Sequence, residues 1–309
     1  MTNPRILITG ARGFVGSRIK ACLLDGYDVH AVARTQAVVE GATWHHADLL
    51  DPADCLALIR DVRPTHLIHS AWETTPGVFW EADSNLAWLD AGKALFTAFH
   101  ANGGQRIIGC GTCAEYAGSS KPLREEDDGQ IPSSQYGRAK RDLLNALREM
   151  PVSFAWARIF YPYGSDEHPA RFVPSVCRSL LQNDVAKCSS GTQTRNFMDV
   201  RDVGAAIAAL VHSNLQGPIN VGHTVSDKLG DVAKMLGQIA GRPDLIELGA
   251  LPDREGEPAI LIPDLRRQTD ELKFDPKISI YDGMSDVYRW WAKQMAESHL
   301  KDLPLSRAT

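Results

Sequence analysis

Apolar positions along the chain alternate between two rhythms. Residues 5–9 form a short β-branched run that ends at Gly10 and predicts a buried strand. Residues 16–24 switch to helical spacing, and 27–33, entered after Gly26, return to a strand. Two further runs of strand length, 65–70 and 106–110, flank a helix over 84–102 that Gly103 and Gly104 stop. Residues 133–150 predict another helix, with serines to cap its start and Pro151 beyond its end, and 152–159 another strand. This alternation predicts an α/β fold, a doubly wound parallel (Rossmann) sheet with helices on both faces.

After Pro162 the pattern loosens. Proline and glycine become frequent, with helices near 173–182, 202–212 and 227–240, a short strand at 218–221 and an amphipathic helix at 281–295. The organisation this suggests is a dinucleotide-binding domain over 1–163 with a returning segment at about 196–222. A smaller, interdigitated α/β substrate-binding cap would then come from 164–195 and 223–309.

Composition narrows the class. Hydrophobic residues make up 44% and charged residues 23% of the 309, ordinary for a globular protein. A net charge of -5 gives no basic footprint for nucleic acid. No stretch approaches the ~20 apolar residues needed to span a bilayer, and the start reads as a first strand rather than a leader, so a cytoplasmic protein is expected. The six cysteines are scattered except for Cys110 and Cys113, which suggests free thiols in a reducing compartment. That pair is formally C-x-x-C, but it ends a strand instead of opening a helix, so a redox role is not expected.

Two motifs carry the chemistry. Thr9-Gly10-Ala11-Arg12-Gly13-Phe14-Val15-Gly16 follows a strand and opens a helix. In that context Gly10 permits the tight turn, Gly13 lets backbone approach a pyrophosphate, and Gly16 lets helix and strand pack closely. The helix N-terminus offers free N–H groups to the phosphates. The second strand ends Val32-Ala33-Arg34, without the carboxylate that would take a ribose 2′-hydroxyl. Arg34, helped by Arg12, can instead clamp a 2′-phosphate, so NADP(H) is favoured over NAD(H). Asp48, followed by Leu49, is placed to meet the adenine ring. His45 and His46 find no further ligand at suitable spacing, so no metal is expected.

The second motif is Tyr136 and Lys140, which at i, i+4 point the same way from one helix. The ammonium is expected to lower the phenol's pKa and poise it for proton transfer with a carbonyl or alcohol. Lys140 can also bind ribose hydroxyls. Such pairs are common on surface helices; the glycine loop upstream gives this one its meaning. Thr112, at the carboxyl end of the 106–110 strand, would hold the substrate oxygen. Ser70, Ala71 and Trp72 follow the fourth strand and complete the expected cofactor contacts. Trp72 and Trp80 could stack on a sugar or base or simply pack; Trp290-Trp291 reads as packing.

Together these residues resemble the extended short-chain dehydrogenase/reductase family, in its nucleotide-sugar epimerase/dehydratase/reductase branch. The markers are the glycine loop, Asp48-Leu49, Asn85 opening a helix, the Thr112 segment, Tyr136 with Lys140, and Gly191-Thr192-Gln193-Thr194-Arg195-Asn196-Phe197-Met198-Asp199-Val200. The resemblance implies that Arg195 meets the nucleotide's phosphates and that Arg254 is a second phosphate-binding arginine. It also implies a homodimer through a four-helix bundle made by helices 85–102 and 133–150.

The departures are informative. Dehydratases of the family carry Thr-Asp-Glu where this chain has Thr112-Cys113-Ala114, and Glu115 falls one place late, which argues against 4,6-dehydration. Double epimerases place a cysteine where Ala114 stands. Tyr161 replaces an asparagine common in 4-epimerases. The expectation is therefore an NADP(H)-dependent reductase of a 4-keto (6-deoxy) nucleotide sugar. The alternatives are a 4-epimerase holding NAD tightly and a non-catalytic NADP(H)-sensing protein.

Overall fold

The computed structural model describes residues 4–301 apart from 36–40, 120 and 128, with side chains to residue 297. Its centre is a seven-stranded, wholly parallel sheet. The strands are β1 (Arg5–Thr9), β2 (Asp28–Ala33), β3 (Thr43–His46), β4 (His66–His69), β5 (Arg106–Thr112), β6 (Ser153–Ile159) and, after four short strands outside the sheet, β11 (Gly217–Val221). Their order is β11-β6-β5-β4-β1-β2-β3. The chain starts in the middle, winds one way to β3, then returns to β4 and winds the other way. That reversal opens a crevice between β1 and β4 at the carboxyl edge.

Alternate residues of each strand serve different faces, as the period of two requires. Ile6 and Ile8 face one core, shared with Ile19 and Leu23 of α1 (Phe14–Leu23) and Val203 and Ile207 of α6 (Val200–Ala209). Leu7, between them, joins Leu67, Ile107 and Trp156 in the other. That face is covered by α2 (Pro52–Val62), α3 (Ser84–Ala101) and α4 (Gln135–Arg148). On α4 the inward positions Leu143, Leu144 and Leu147 are fully buried. Each contributes roughly 1.5–3 kcal/mol of burial free energy.

The short strands β7 (Tyr161–Tyr163), β8 (Ala186–Lys187), β9 (Thr194–Arg195) and β10 (Phe197–Asp199) precede β11. They are followed by β12 (Asp227–Lys228), β13 (Ile246–Glu247) and β14 (Ile260–Leu261). β7 pairs with β10, β9 lies between β12 and β14, and β8 pairs with β13. With α5 (Phe172–Leu181), α7 (Leu229–Ile239) and α8 (Ile280–Lys301), they surround a separate apolar core that includes Val173, Phe197, Leu236 and Trp291.

The doubly wound α/β sheet expected from the pattern is therefore present. α2 is an addition: it was absent from the sequence reading. Asp51 caps it by accepting from Ala53 N–H, Pro52 occupies its first turn, and Cys55, Leu58, Ile59 and Val62 form its buried stripe. The β5 strand runs two residues beyond its expected end, to Thr112. Residues 227 and 228 are strand rather than the start of a helix. No described helix is long and apolar enough to cross a membrane.

Candidate active site

The glycine loop joins β1 to α1 at the crevice. Gly10 has φ +67°, a conformation that side chains rarely adopt, and a Cβ there would lie 2.7 Å from Ala71 N. Gly13 N–H closes the turn onto Gly10 O at 2.8 Å. A Cβ at Gly16 would fall 2.2 Å from that same oxygen, so only glycine lets the helix start this close to the strand. No side chain caps α1, which leaves its first N–H groups to an anion. Phe14 is half-buried, and Val15 packs on the core below.

At the end of β2, Arg34 and Thr35 are exposed, and Arg12 reaches across from the loop to donate to Thr35 Oγ1 at 2.8 Å. Both cations expected to discriminate the nucleotide thus sit at one corner. Asp48 accepts from Leu50 N–H through its carboxylate while its own N–H goes to Asp54 Oδ2, fixing the β3–α2 connection; Leu49 is buried beneath it. His45 is bonded to His30 across the β2–β3 pair.

On the far side of the crevice, Ser70 Oγ donates to Thr9 O at 2.6 Å and Ala71 N–H to Thr9 Oγ1, stitching β4 to β1. Thr9 Oγ1 also bonds His69 Nδ1 at 2.9 Å. Burial, reinforced by Lys140, pushes His69 down to about 3, so that ring is neutral at any ordinary pH.

α4 brings Tyr136 and Lys140 to this edge. Ser134 caps the helix by accepting from Gly137 N–H, as the serine-rich start suggested. Tyr136 is 8% exposed and Lys140 2%. The phenol is enclosed edge-on by Phe79, Trp80 and Trp72. Burial pushes its pKa up, and the nearby Thr112 side chain pulls partly the other way. Lys140 Nζ donates to Cys110 O at 2.8 Å and lies 4.0 Å from the centre of the Trp72 ring. Burial draws its pKa down to about 8. The expected depression of the phenol by the ammonium does not occur: desolvation dominates at Tyr136, and the ammonium is engaged by a carbonyl and an indole.

Trp72 Nε1 donates to Asn85 Oδ1, and Asn85 in turn donates to Phe79 O and Ala82 O, so the aromatic wall is fixed from α3. The guanidinium of Arg254 stands 5.0 Å from the Trp80 ring centre. Arg195 is fully buried, paired with Glu257 at 2.8 Å, and 5.5 Å from the ring of Tyr161. Arg171 is a residue the sequence reading missed. It stands at the N-terminal boundary of α5 without capping it through its side chain, donates to Thr74 O, lies 5.3 Å from the Phe79 ring and is close enough to help lower the Tyr136 pKa. No motif marks it. Burial raises the thiols of Cys110 and Cys113 to about 12, and both are free, inert positions beside the site. Cavities of about 510 and 460 Å³ lie elsewhere, one beside His212 and Glu271 and the other between α5 and α8.

Residues 6–222 match the profile of the NAD dependent epimerase/dehydratase family. The chain belongs to this family. Its relatives diverge in activity. It is 24% identical over 309 residues to UDP-glucuronic acid decarboxylase 1 of Xenopus tropicalis, covering 94% of this chain and 73% of that protein. It is 23% identical over 318 residues to dTDP-4-dehydro-6-deoxy-D-allose reductase of Streptomyces bikiniensis, covering 93% and 95%. Among solved structures, UDP-glucose 4-epimerase of Thermotoga maritima with UDP-glucose superposes with a TM-score of 0.85 at 22% identity, covering 94% and 99%. This family member therefore shares the epimerase/dehydratase fold, as its motifs indicated.

Proposed function

We propose that the protein is an NADP(H)-dependent reductase of a 4-keto, 6-deoxy nucleotide sugar. The observation that carries the reading is Tyr136, a phenol kept protonated by burial, enclosed edge-on by Phe79, Trp80 and Trp72 and one helical turn from Lys140. A buried neutral phenol suits proton donation to a carbonyl oxygen, the direction a reductase needs. Thr112 would hold that oxygen, and Lys140 would bind ribose hydroxyls and keep positive charge beside the site. The residues fit a dinucleotide: Gly10 and Gly16 leave no room for a side chain, and the α1 N-terminus is uncapped. A bound nicotinamide would supply the hydride. Arg34 and Arg12 would take a 2′-phosphate, which favours NADP(H). Gly13, Phe14, Val15, Asp48, Leu49, Ser70, Ala71 and Trp72 would complete its binding surface.

Arg195 and Arg254 would bind the substrate's diphosphate, with Tyr161 beside Arg195. Elements around the second core would thus act as the substrate cap. The Thr112 turn has one carboxylate, Glu115, which is buried and bound to Arg158; this supports reduction over dehydration. The resemblance to the Streptomyces reductase points the same way. α3 and α4 would pair with those of a second copy. NADPH oxidation on a panel of dTDP- and UDP-linked 4-keto sugars tests the reading; no turnover across the panel would sink it.

The likeness to the Thermotoga epimerase favours a second reading, a 4-epimerase with tightly held NAD. Denaturing the purified protein and identifying the released nucleotide separates the two: stoichiometric NAD⁺ selects the epimerase, little nucleotide the reductase.

A further inference from the structure

β5 carries glycine at 109 and 111, directly opposite Trp156 and Arg158 of β6. Both side chains cross over β5 because nothing projects from it there. A Cβ on Gly109 would lie 2.2 Å from the Trp156 ring, and one on Gly111 2.1 Å from Trp156 Nε1 and 2.5 Å from Glu115 Oε1. The two side chains converge on Glu115. Trp156 Nε1 donates to Oε1 at 2.9 Å, and Arg158 Nε to Oε2 at 2.8 Å. Glu115 and Arg158 are both wholly buried, and Tyr116 stacks on the guanidinium at 4.4 Å.

The remaining donor to this carboxylate is the Thr112 N–H, at 2.8 Å from Oε1. Residues 113–115 form a 3-10 turn, and Thr112 Oγ1 accepts from Ala114 N–H at 3.2 Å, so the two ends of the turn cap each other. α4 presses on the same turn: a Cβ at Gly137 would lie 2.1 Å from Ala114 O. The backbone of Thr112 is thus anchored to the core, with its side chain close enough to Tyr136 to bear on that phenol's pKa.

The geometry points to Glu115 as the positioning residue for Thr112: a buried carboxylate that fixes the Thr112 peptide so that its hydroxyl is aimed at Tyr136 and the substrate oxygen. Glu115 makes no hydrogen bond to Tyr136 among the described residues; its charge reaches that phenol only through space, where it raises the pKa. The inference rests on the proposed role of Thr112 and adds a cause for its placement. A purely structural ion pair would stabilise the sheet without affecting where Thr112 points. The two possibilities separate because a buried pair can be replaced by apolar residues of similar volume with little loss of stability.

A double-mutant cycle between Glu115→Gln and Thr112→Val tests this, with kcat read from NADPH oxidation by dTDP-4-dehydro-6-deoxyglucose. Glu115→Gln alone should lower kcat by about tenfold or more, with KM and NADPH affinity held within about twofold. In the Thr112→Val background it should cost less than about twofold. Additive losses would overturn the inference and leave the role of Thr112 standing. Full activity of Thr112→Val would overturn both.

Hydrogen exchange of the protein without nucleotide gives a second readout. Glu115→Gln should release protection of the Thr112 amide while the amides of residues 107–111 keep theirs; an unchanged Thr112 amide overturns the inference. Because Glu115→Leu strands the buried Arg158 guanidinium, the pair Glu115→Leu with Arg158→Met provides the control. It should regain the thermal stability lost by Glu115→Leu without regaining kcat. Recovery of both together would show that the network is only structural.

Discussion

The two ends of the sheet's carboxyl edge are built on opposite terms. At β5 and α4 the polar groups are tied or enclosed: Thr112 is bonded to Glu115, Lys140 to Cys110 O, and Tyr136 is walled in by Phe79 and Trp80. At β2 the charged groups stand in water, with Arg34 and Arg12 exposed and Arg12 donating to Thr35 Oγ1. Buried groups cost folding free energy but arrive pre-aimed, which is what transition-state stabilisation requires. Exposed arginines cost little and gain their strength only when an anion arrives. On the proposed reading the β5–α4 end would tolerate little change, while the exposed β2 end would be free to vary.

Breaking the buried end should have the largest effect. Tyr136→Phe is expected to lower kcat by about 10²–10⁴-fold with NADPH affinity intact, checked by steady-state rates and nucleotide titration. Retained activity would move the chemistry away from this end. At the exposed end, Arg34→Ser should weaken NADPH about 10–100-fold, from the loss of charge-assisted bonds worth roughly 1.5–3 kcal/mol, and leave NADH nearly unchanged. Comparable losses for both nucleotides would mean that Arg34 does not read the phosphate.

A smaller effect follows from Lys140, whose pKa lies near 8. Its charge is present below that pH and lost above it. The kcat/KM of reduction should fall from about pH 8 upward, and Lys140→Met should remove that limb from the pH profile. The smallest concerns Glu167, which is buried like the first end but has an oxygen without a partner. Burial raises its carboxyl to about 8. The folded protein keeps that proton between about pH 4.5 and 8 while the unfolded chain releases it, so stability falls as pH rises through this window. Glu167→Gln should raise the melting temperature at pH 8 by roughly 2–4 °C and do almost nothing at pH 5.

Six strands of the large sheet were legible as apolar runs bounded by glycine or polar turns; the four-residue edge strand β3 was not. The 2–3-residue strands β7 to β10 and β12 to β14 were not, since no period can be read in so few positions. α2 could have been read from Asp51-Pro52 and its stripe of Cys55, Leu58, Ile59 and Val62. Tyr136 and Lys140 were visible as a spaced pair, yet the direction of the tyrosine's pKa was not, because desolvation depends on what folds over it. Glu115 falls one place late for a dehydratase acid, and the sequence alone gives it no other role. The strand ends at Thr112, and Thr112-Cys113-Ala114-Glu115 is a Thr-x-x-Glu capping sequence that turns the carboxylate inward. Arg171 joins the site only through the path of the chain between β7 and α5.

β11 completes the large sheet by pairing along β6, and buried Arg106 of β5 fastens the returning chain through Leu210 O and Leu215 O. About 60 residues separate the ends of β6 and β11. A ribosome adding roughly 5–20 residues per second needs about 3–12 s to supply them. Throughout that interval the nascent sheet presents the open edge of β6, with its backbone donors and acceptors available to any neighbouring strand. Messages that slow translation within this stretch should lower the yield of folded protein more than those that slow it earlier, because they lengthen the time that edge waits for its partner.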